Sequence, residues 1–155
     1  MSNKPDWLNE RSAAIPIIFE NNQIKVVLIT TKPKEKNNWI FPKGQVELGM
    51  PAHESAAKEA FEEAGVVGHT SPTLFDKYEH TKWGGKMSIK VYILEVSKVY
   101  DVWLEMHARN RKIVDLEQAI QLVQANQKQT LKKLQKNSKQ ILLDSSVQQL
   151  LLKHH

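Results

Sequence analysis

Short β-branched runs, one amphipathic helix opened by proline and closed by glycine, and a length of 155 residues predict a single domain of the α/β or α+β class. Residues 1–11 read as a polar lead-in. Ala13–Phe19 (AAIPIIF) and Lys25–Thr31 (KVVLITT) read as two strands about the turn Glu20-Asn21-Asn22-Gln23, and Pro16 marks the first as an edge strand or a bulged one. Lys32–Asn38 (KPKEKNN) is a charged loop, and Trp39-Ile40-Phe41 is a short apolar segment stopped by Pro42. A glycine-containing loop, Lys43–Met50, leads to a helix that opens at Pro51 and is capped by Gly65. Leu74–His80 and Met87–Val96 are strands joined through Gly84-Gly85, which supply the positive φ of a hairpin turn. Asp115 is an N-cap candidate for a helix over Asp115–Val123, and a helical rhythm of leucines against Lys and Gln runs from Thr130 onward.

Composition narrows the chemistry. The longest apolar run, Ala13–Phe19, has 7 residues against the ~20 of a membrane helix, and it follows Asp6 and Glu10 rather than a basic stretch. No membrane span or secretory signal is therefore expected, and a cytoplasmic location is. With 0 cysteines there is no disulfide, thiolate nucleophile or cysteine-based metal site. The net charge of +5 invites a nucleic-acid reading. Yet 126–155 holds six lysines (Lys128, Lys132, Lys133, Lys136, Lys139, Lys153) and one acid, Asp144, so residues 1–125 carry 16 basic and 16 acidic groups. The excess charge belongs to the C-terminal segment. Nucleic acid is accordingly not the expected partner.

The helix after Pro51 carries the chemistry. At about 100° per residue, Ala56, Ala57, Ala60, Phe61 and Ala64 form an apolar side, and Glu59, Glu62 and Glu63, at i, i+3, i+4, crowd the opposite one. Like charges so spaced cost a bare helix a few tenths of a kcal/mol per pair. Two readings explain them. One is a solvated acidic face balanced by Lys58 and its neighbours. The other is a site for a hard divalent cation such as Mg²⁺, which binds through a few carboxylates and bridges to substrate phosphates.

Gly44-Gln-Val-Glu-Leu-Gly-Met50 and Lys58-Glu-Ala-Phe-Glu-Glu-Ala-Gly-Val66 together resemble the Nudix hydrolase signature, G-x5-E-x7-R-E-U-x-E-E-x-G-U, with U a bulky aliphatic residue. Gly44, Glu59, Glu62, Glu63, Gly65 and Val66 match in place. Met50 stands where the signature has its first Glu, Lys58 where it has Arg, and Ala60 where it has an aliphatic residue. Lysine lacks the planar fork with which arginine pairs carboxylates. The resemblance implies an α/β/α sandwich with a mixed sheet over 1–125, to which 126–155 adds a basic helical extension packed on the domain. It also implies Mg²⁺-dependent hydrolysis (Mn²⁺ substituting) of a pyrophosphate bond by water attack on phosphorus. Glu59, Glu62 and Glu63 then become metal-binding and catalytic carboxylates, Glu59 a candidate base, and the Gly44 carbonyl a further ligand.

Trp39-Ile-Phe-Pro-Lys-Gly44 is similar to the branch that acts on diphosphoinositol polyphosphates and dinucleoside polyphosphates, which sets Lys43 at the mouth of the site to meet a phosphate. Arg109 and Arg111, with Lys112, are either a second phosphate-binding cluster or a solvated charge run. Glu105 is a further ligand candidate, and Trp83 could stack a base or sugar. Tyr78 falls short of the tyrosine of dinucleoside polyphosphate relatives, and Thr81 stands where ADP-ribose relatives have proline, so the substrate stays open. His53, on the apolar side of the helix, reads as structural. The expected partner is a phosphorylated small molecule, and the expected assembly a monomer or homodimer. Two alternatives compete: a weakened Nudix domain that senses a nucleotide or polyphosphate without cleaving it, and an RNA-associated protein using the basic tail.

Overall fold

In the computed structural model, which describes residues 10–82 and 84–144, one eight-stranded mixed sheet organises the chain. Its strands are β1 (Arg11–Glu20), β2 (Gln23–Thr30), β3 (Trp39–Ile40), β4 (Lys43–Gln45), β5 (Val66–Thr70), β6 (Asp76–Lys82), β7 (Gly85–Val99) and β8 (Arg111–Asp115). The helices are α1 (Ala52–Ala64), α2 (Leu116–Leu122) and α3 (Ala125–Lys136). Residues 138–144 are again helical. The polar lead-in up to residue 9, Trp83, and Val147, Leu150, Leu151, Lys153, His154 and His155 lie outside the described residues. No described helix is long and apolar enough to cross a membrane.

The period-two alternation of the central strands builds three layers. Ala13, Ile15 and Ile17 of β1, Ile24, Val26 and Leu28 of β2, and Ile89 and Val91 of β7 join Leu116, Ala119, Leu131 and Leu134 of α2 and α3 in one core. Their neighbours Ala14, Val27, Ile29, Tyr92 and Leu94 face Ala56, Ala60 and Ala64 of α1 on the other side. The result is an α/β/α sandwich, as expected. α3 lies within it, with Leu131 and Leu134 fully buried.

Strand β1 is central, pairing β7 in parallel and β2 and β4 antiparallel, so Pro16 does not mark an edge. The reason is local. Ala14 donates to the Pro42 carbonyl at 3.0 Å, while pairing with β2 begins at Ile17. Pro16, two residues beyond Ala14, turns its missing N–H to that same side, into the gap where β1 and β2 diverge. β3 and β4 occupy that divergence, which carries the Lys43–Gln45 segment up against α1.

The turn between β1 and β2 uses Asn21 and Asn22 at φ 52° and 62°. Asp115 sits at the N-cap of α2 but makes no capping hydrogen bond. Its carboxylate pairs instead with Lys25, its cross-strand neighbour, at 2.7 Å. The β6–β7 hairpin places positive φ on Gly84 (72°), and Gly85 already pairs with Lys82. α1 starts at Ala52, one residue later than expected, with Pro51 as its N-cap.

Candidate active site

On α1 the buried residues are Ser55, Ala56, Ala60, Glu63 and Ala64. Glu63 is seven positions beyond Ala56, so it falls within about 20° of it at 100° per residue. It lies on the buried side of the helix rather than opposite the alanines, its side chain 6% exposed. Phe61, expected on that side, is instead half exposed and meets the Tyr100 ring edge-on at 6.0 Å.

β4 supplies the opposing wall. The Lys43 N–H donates to Glu63 Oε1 at 3.2 Å. Gly44 lies directly against Glu59: a Cβ there would come 2.8 Å from Glu59 Oε2 and closer still to the carboxyl carbon. Any side chain at this position would push the Glu59 carboxylate aside. Ser55 steadies the loop between β4 and α1, its Oγ accepting from the Glu47 N–H at 3.1 Å. A cleft of about 400 Å³ opens here, lined by Gln45, Val46, Glu47, Leu48 and Glu59. Met50, in the loop, donates its N–H to the Glu47 carbonyl at 3.1 Å.

The segment after β7 closes the other flank. Gly65 ends α1 at φ 68° and leaves space for Trp103, whose ring carbon Cγ would lie 2.8 Å from a Cβ at that position. The Trp103 indole N–H donates to the Glu63 carbonyl at 2.9 Å, and the Glu105 N–H to the Glu62 carbonyl at 3.1 Å. Arg111 stacks over Trp103 at 4.0 Å and donates to the Ala64 and Tyr100 carbonyls at 2.9 and 2.8 Å. Arg109 donates to Glu105 Oε1 and to the Thr30 carbonyl, both at 2.9 Å, and its Nη2 stands 3.8 Å from Glu63 Oε2. Lys32 joins Glu105 at 3.1 Å.

Burial pushes the Glu63 carboxyl up to about 9, with its hydrogen bond to Glu59 adding to the rise and Arg109 opposing it. Burial also raises Glu59, helped by the charges of Glu62 and Glu105. The two carboxyls thus hold a proton between them at neutral pH. Burial would raise Glu105 as well, but hydrogen bonds from Arg109 and Lys32 hold it below the usual carboxylate range.

Glu62 stands 4.0 Å from Lys58, whose ammonium is bound to Glu47, and its charge acts on Glu59. Among the described residues, no group of three or more His, Cys, Asp or Glu side chains is arranged to hold a metal ion as it stands. The donor chemistry nevertheless fits a hard divalent cation, since the buried Glu63 and the half-buried Glu59 are oxygen ligands whose ionised forms such an ion would favour beside backbone opened by a glycine. Glu62 would have to leave Lys58 to join them.

Sequence reasoning brought Lys43, Gly44, Glu59 and Glu63 to one place. It missed the partnership of Trp103, Thr30 and Lys32, which are close only in space. It also could not place Tyr78, which is buried and accepts from Gln127 Nε2 at 3.0 Å, in the α3 core. Trp39 is buried, with Lys112 over its ring at 5.0 Å, and His53 rests 6.1 Å from the Tyr92 ring.

A family model described as the NUDIX domain matches residues 9–136. Nudix hydrolase 21, chloroplastic, of Arabidopsis thaliana is 35% identical over 109 residues, covering 66% of this chain and 52% of that protein. Diphosphoinositol polyphosphate phosphohydrolase 3-beta of Bos taurus is 28% identical over 134 residues, covering 85% and 79%. A solved structure of C. elegans Ap4A hydrolase, a binary complex, superposes with a TM-score of 0.69 at 21% identity, covering 82% of this chain and 95% of that one. This last likeness is one of fold. The chain spans about half the length of the Arabidopsis relative.

Proposed function

The chain belongs to the Nudix family, and from that premise we propose that it is a pyrophosphohydrolase of phosphorylated small molecules. The substrate proposed is a dinucleoside polyphosphate, a diphosphoinositol polyphosphate or another nucleoside diphosphate derivative. Support for the first two comes from the names of the relatives and from the Pro42-Lys43-Gly44 segment. The observation that carries the reading is the Glu59–Glu63 pair, with Glu59 half-buried against Gly44 and Glu63 buried and held by the Lys43 N–H and Arg109.

Glu59, Glu62, Glu63 and the Gly44 carbonyl would hold Mg²⁺, or Mn²⁺ in its place. Such a cation supplies charge neutralisation on phosphate oxygens and a more acidic bound water. The protein's share is positional. The Lys43 N–H fixes one oxygen of Glu63, and the Glu59 carboxyl, which lies against Gly44, is assigned as the base acting on a water. The Lys43 ammonium is assigned to a substrate phosphate. A substrate-binding role for Arg109 and Arg111 would require them to exchange their protein partners for phosphate oxygens, so we assign both to the scaffold. A cytoplasmic monomer or homodimer is the setting this proposal assumes.

Purified protein with Mg²⁺ is expected to release phosphate-containing product from at least one of dinucleoside polyphosphates, diphosphoinositol phosphates, ADP-ribose and nucleoside triphosphates. Glu63→Gln should lower that rate by about 100-fold or more. Silence across the panel would end the enzyme reading. Met50, standing where the signature has Glu, supports a second reading as a sensor that binds such a ligand without cleaving it. Saturable calorimetric binding with no turnover would favour it.

A further inference from the structure

We propose that Arg109 is the positioning residue that holds Glu63 in the geometry needed for cation binding, a duty that Lys58, the cation carried by α1 itself, does not perform. The inference rests on the pyrophosphohydrolase reading above and assigns a residue that its signature does not contain. The Arg109 side chain is 13% exposed, and its three nitrogens meet its own loop, β2 and α1. Nε donates to Glu105 Oε1 and Nη1 to the Thr30 carbonyl at the end of β2, each at 2.9 Å, while Nη2 faces Glu63 Oε2 at 3.8 Å. The backbone around it is tied down too. The Arg109 N–H donates to the Glu105 carbonyl at 3.1 Å, and the neighbouring Asn110 N–H donates to Thr30 Oγ1 at 2.9 Å.

With two of its nitrogens fixed, a planar guanidinium has no freedom left in the direction of the third. Glu63 is therefore held from two sides, by the Lys43 N–H on Oε1 and by Arg109 near Oε2. Lys58 is placed otherwise. Its side chain is 44% exposed, bonds Glu47, stands 4.0 Å from Glu62 and acts on Glu59 by its charge, while the cation acting on Glu63 is Arg109. A lysine at position 109 would keep the charge and lose the directed fork.

The test compares the parent, Arg109→Lys, Arg109→Gln and Lys58→Gln. Mn²⁺ affinity is read by electron paramagnetic resonance of the free ion, kcat and KM on whichever substrate the panel yields, and folding by circular dichroism. Supporting groups around a metal site typically govern affinity or activity by 10–100-fold. Both Arg109 variants are expected to bind Mn²⁺ about 10-fold more weakly or worse, and kcat to fall while KM stays within about 2-fold. Lys58→Gln is expected to lose less Mn²⁺ affinity than either.

Parent-like Mn²⁺ affinity in Arg109→Lys would overturn the proposal, as would a rise in KM at constant kcat, which marks a direct substrate contact. An equal or larger loss in Lys58→Gln would do the same. Collapse of the fold in both Arg109 variants would reassign the residue to a purely structural ion pair. Failure of the parent itself to bind Mn²⁺ would strike the pyrophosphohydrolase reading instead, so the two failures are distinguishable.

Discussion

At the scale of single residues, Glu63 is the costliest placement in the site. A carboxyl with 6% of its side chain exposed loses most of its hydration, and an acidic neighbour, the half-buried Glu59, hydrogen-bonds it. In the folded protein its pKa is raised from 4.5 to about 9. Between those values the folded chain keeps a proton that the unfolded chain releases, so the stability of metal-free protein falls as pH rises through that window. The melting temperature is therefore expected to drop between pH 5.5 and 8.5, and to drop less in Glu63→Gln, which is neutral throughout. Parallel melting curves for parent and variant would contradict the assignment. Mg²⁺ should restore stability at the alkaline end in the parent and less so in the variant, because binding requires the ionised carboxylates.

At the scale of elements, α1 was legible from its punctuation and its alanines, because proline, glycine and a 3.6-residue period are local signals. Its face was not. Glu63 sits inside the apolar stripe, and the partners waiting there, Lys43, Arg109 and Glu59, make that position tenable for a carboxyl. Strands β4, β5 and β8 escaped notice for similar reasons. Lys43–Gln45 has no apolar residue, Val66–Thr70 is interrupted by Gly68, and Arg111–Asp115 opens with two cations. Each becomes a strand because a neighbour offers an edge. The short segment Trp39–Gly44 depends likewise on α3: the buried Phe41 N–H donates to Gln127 Oε1 at 3.0 Å, and Gln127 Nε2 donates to Tyr78. Gln127→Leu would keep the volume and orphan that amide. A loss of about 1–3 kcal/mol in urea unfolding is expected. A cost under about 0.5 kcal/mol would show that the amide finds another partner.

At the scale of the whole molecule, the question is what the +5 charge does. Among the described residues, the lysines of α3, Lys128, Lys132, Lys133 and Lys136, lie on the outer side of a helix that completes the sandwich. Lys128 donates to the Ile120 and Gln121 carbonyls at the end of α2, and Lys133 to the Phe75 carbonyl at 2.5 Å, while Thr130 Oγ1 donates to Asp76 at 2.8 Å. Leu131 and Leu134 lie between these contacts, fully buried. Lys132, Lys136 and Lys139 are exposed. If α3 belongs to the fold rather than to a nucleic-acid surface, removing its apolar contacts and removing its outer charges must have opposite weights. Leu134→Ala should cost about 2–5 kcal/mol, the range for a buried leucine truncated in a close-packed core. Neutralising Lys132, Lys136 and Lys139 together with glutamine should shift stability by no more than about 0.5 kcal/mol per position. Hydrolytic activity in the triple variant should stay near the parent's, since the carboxylate pair lies on the α1 side of the sheet, away from α3. RNA binding by the parent that weakens steeply with salt and vanishes in the triple variant would reverse this conclusion and make the charge a function of its own.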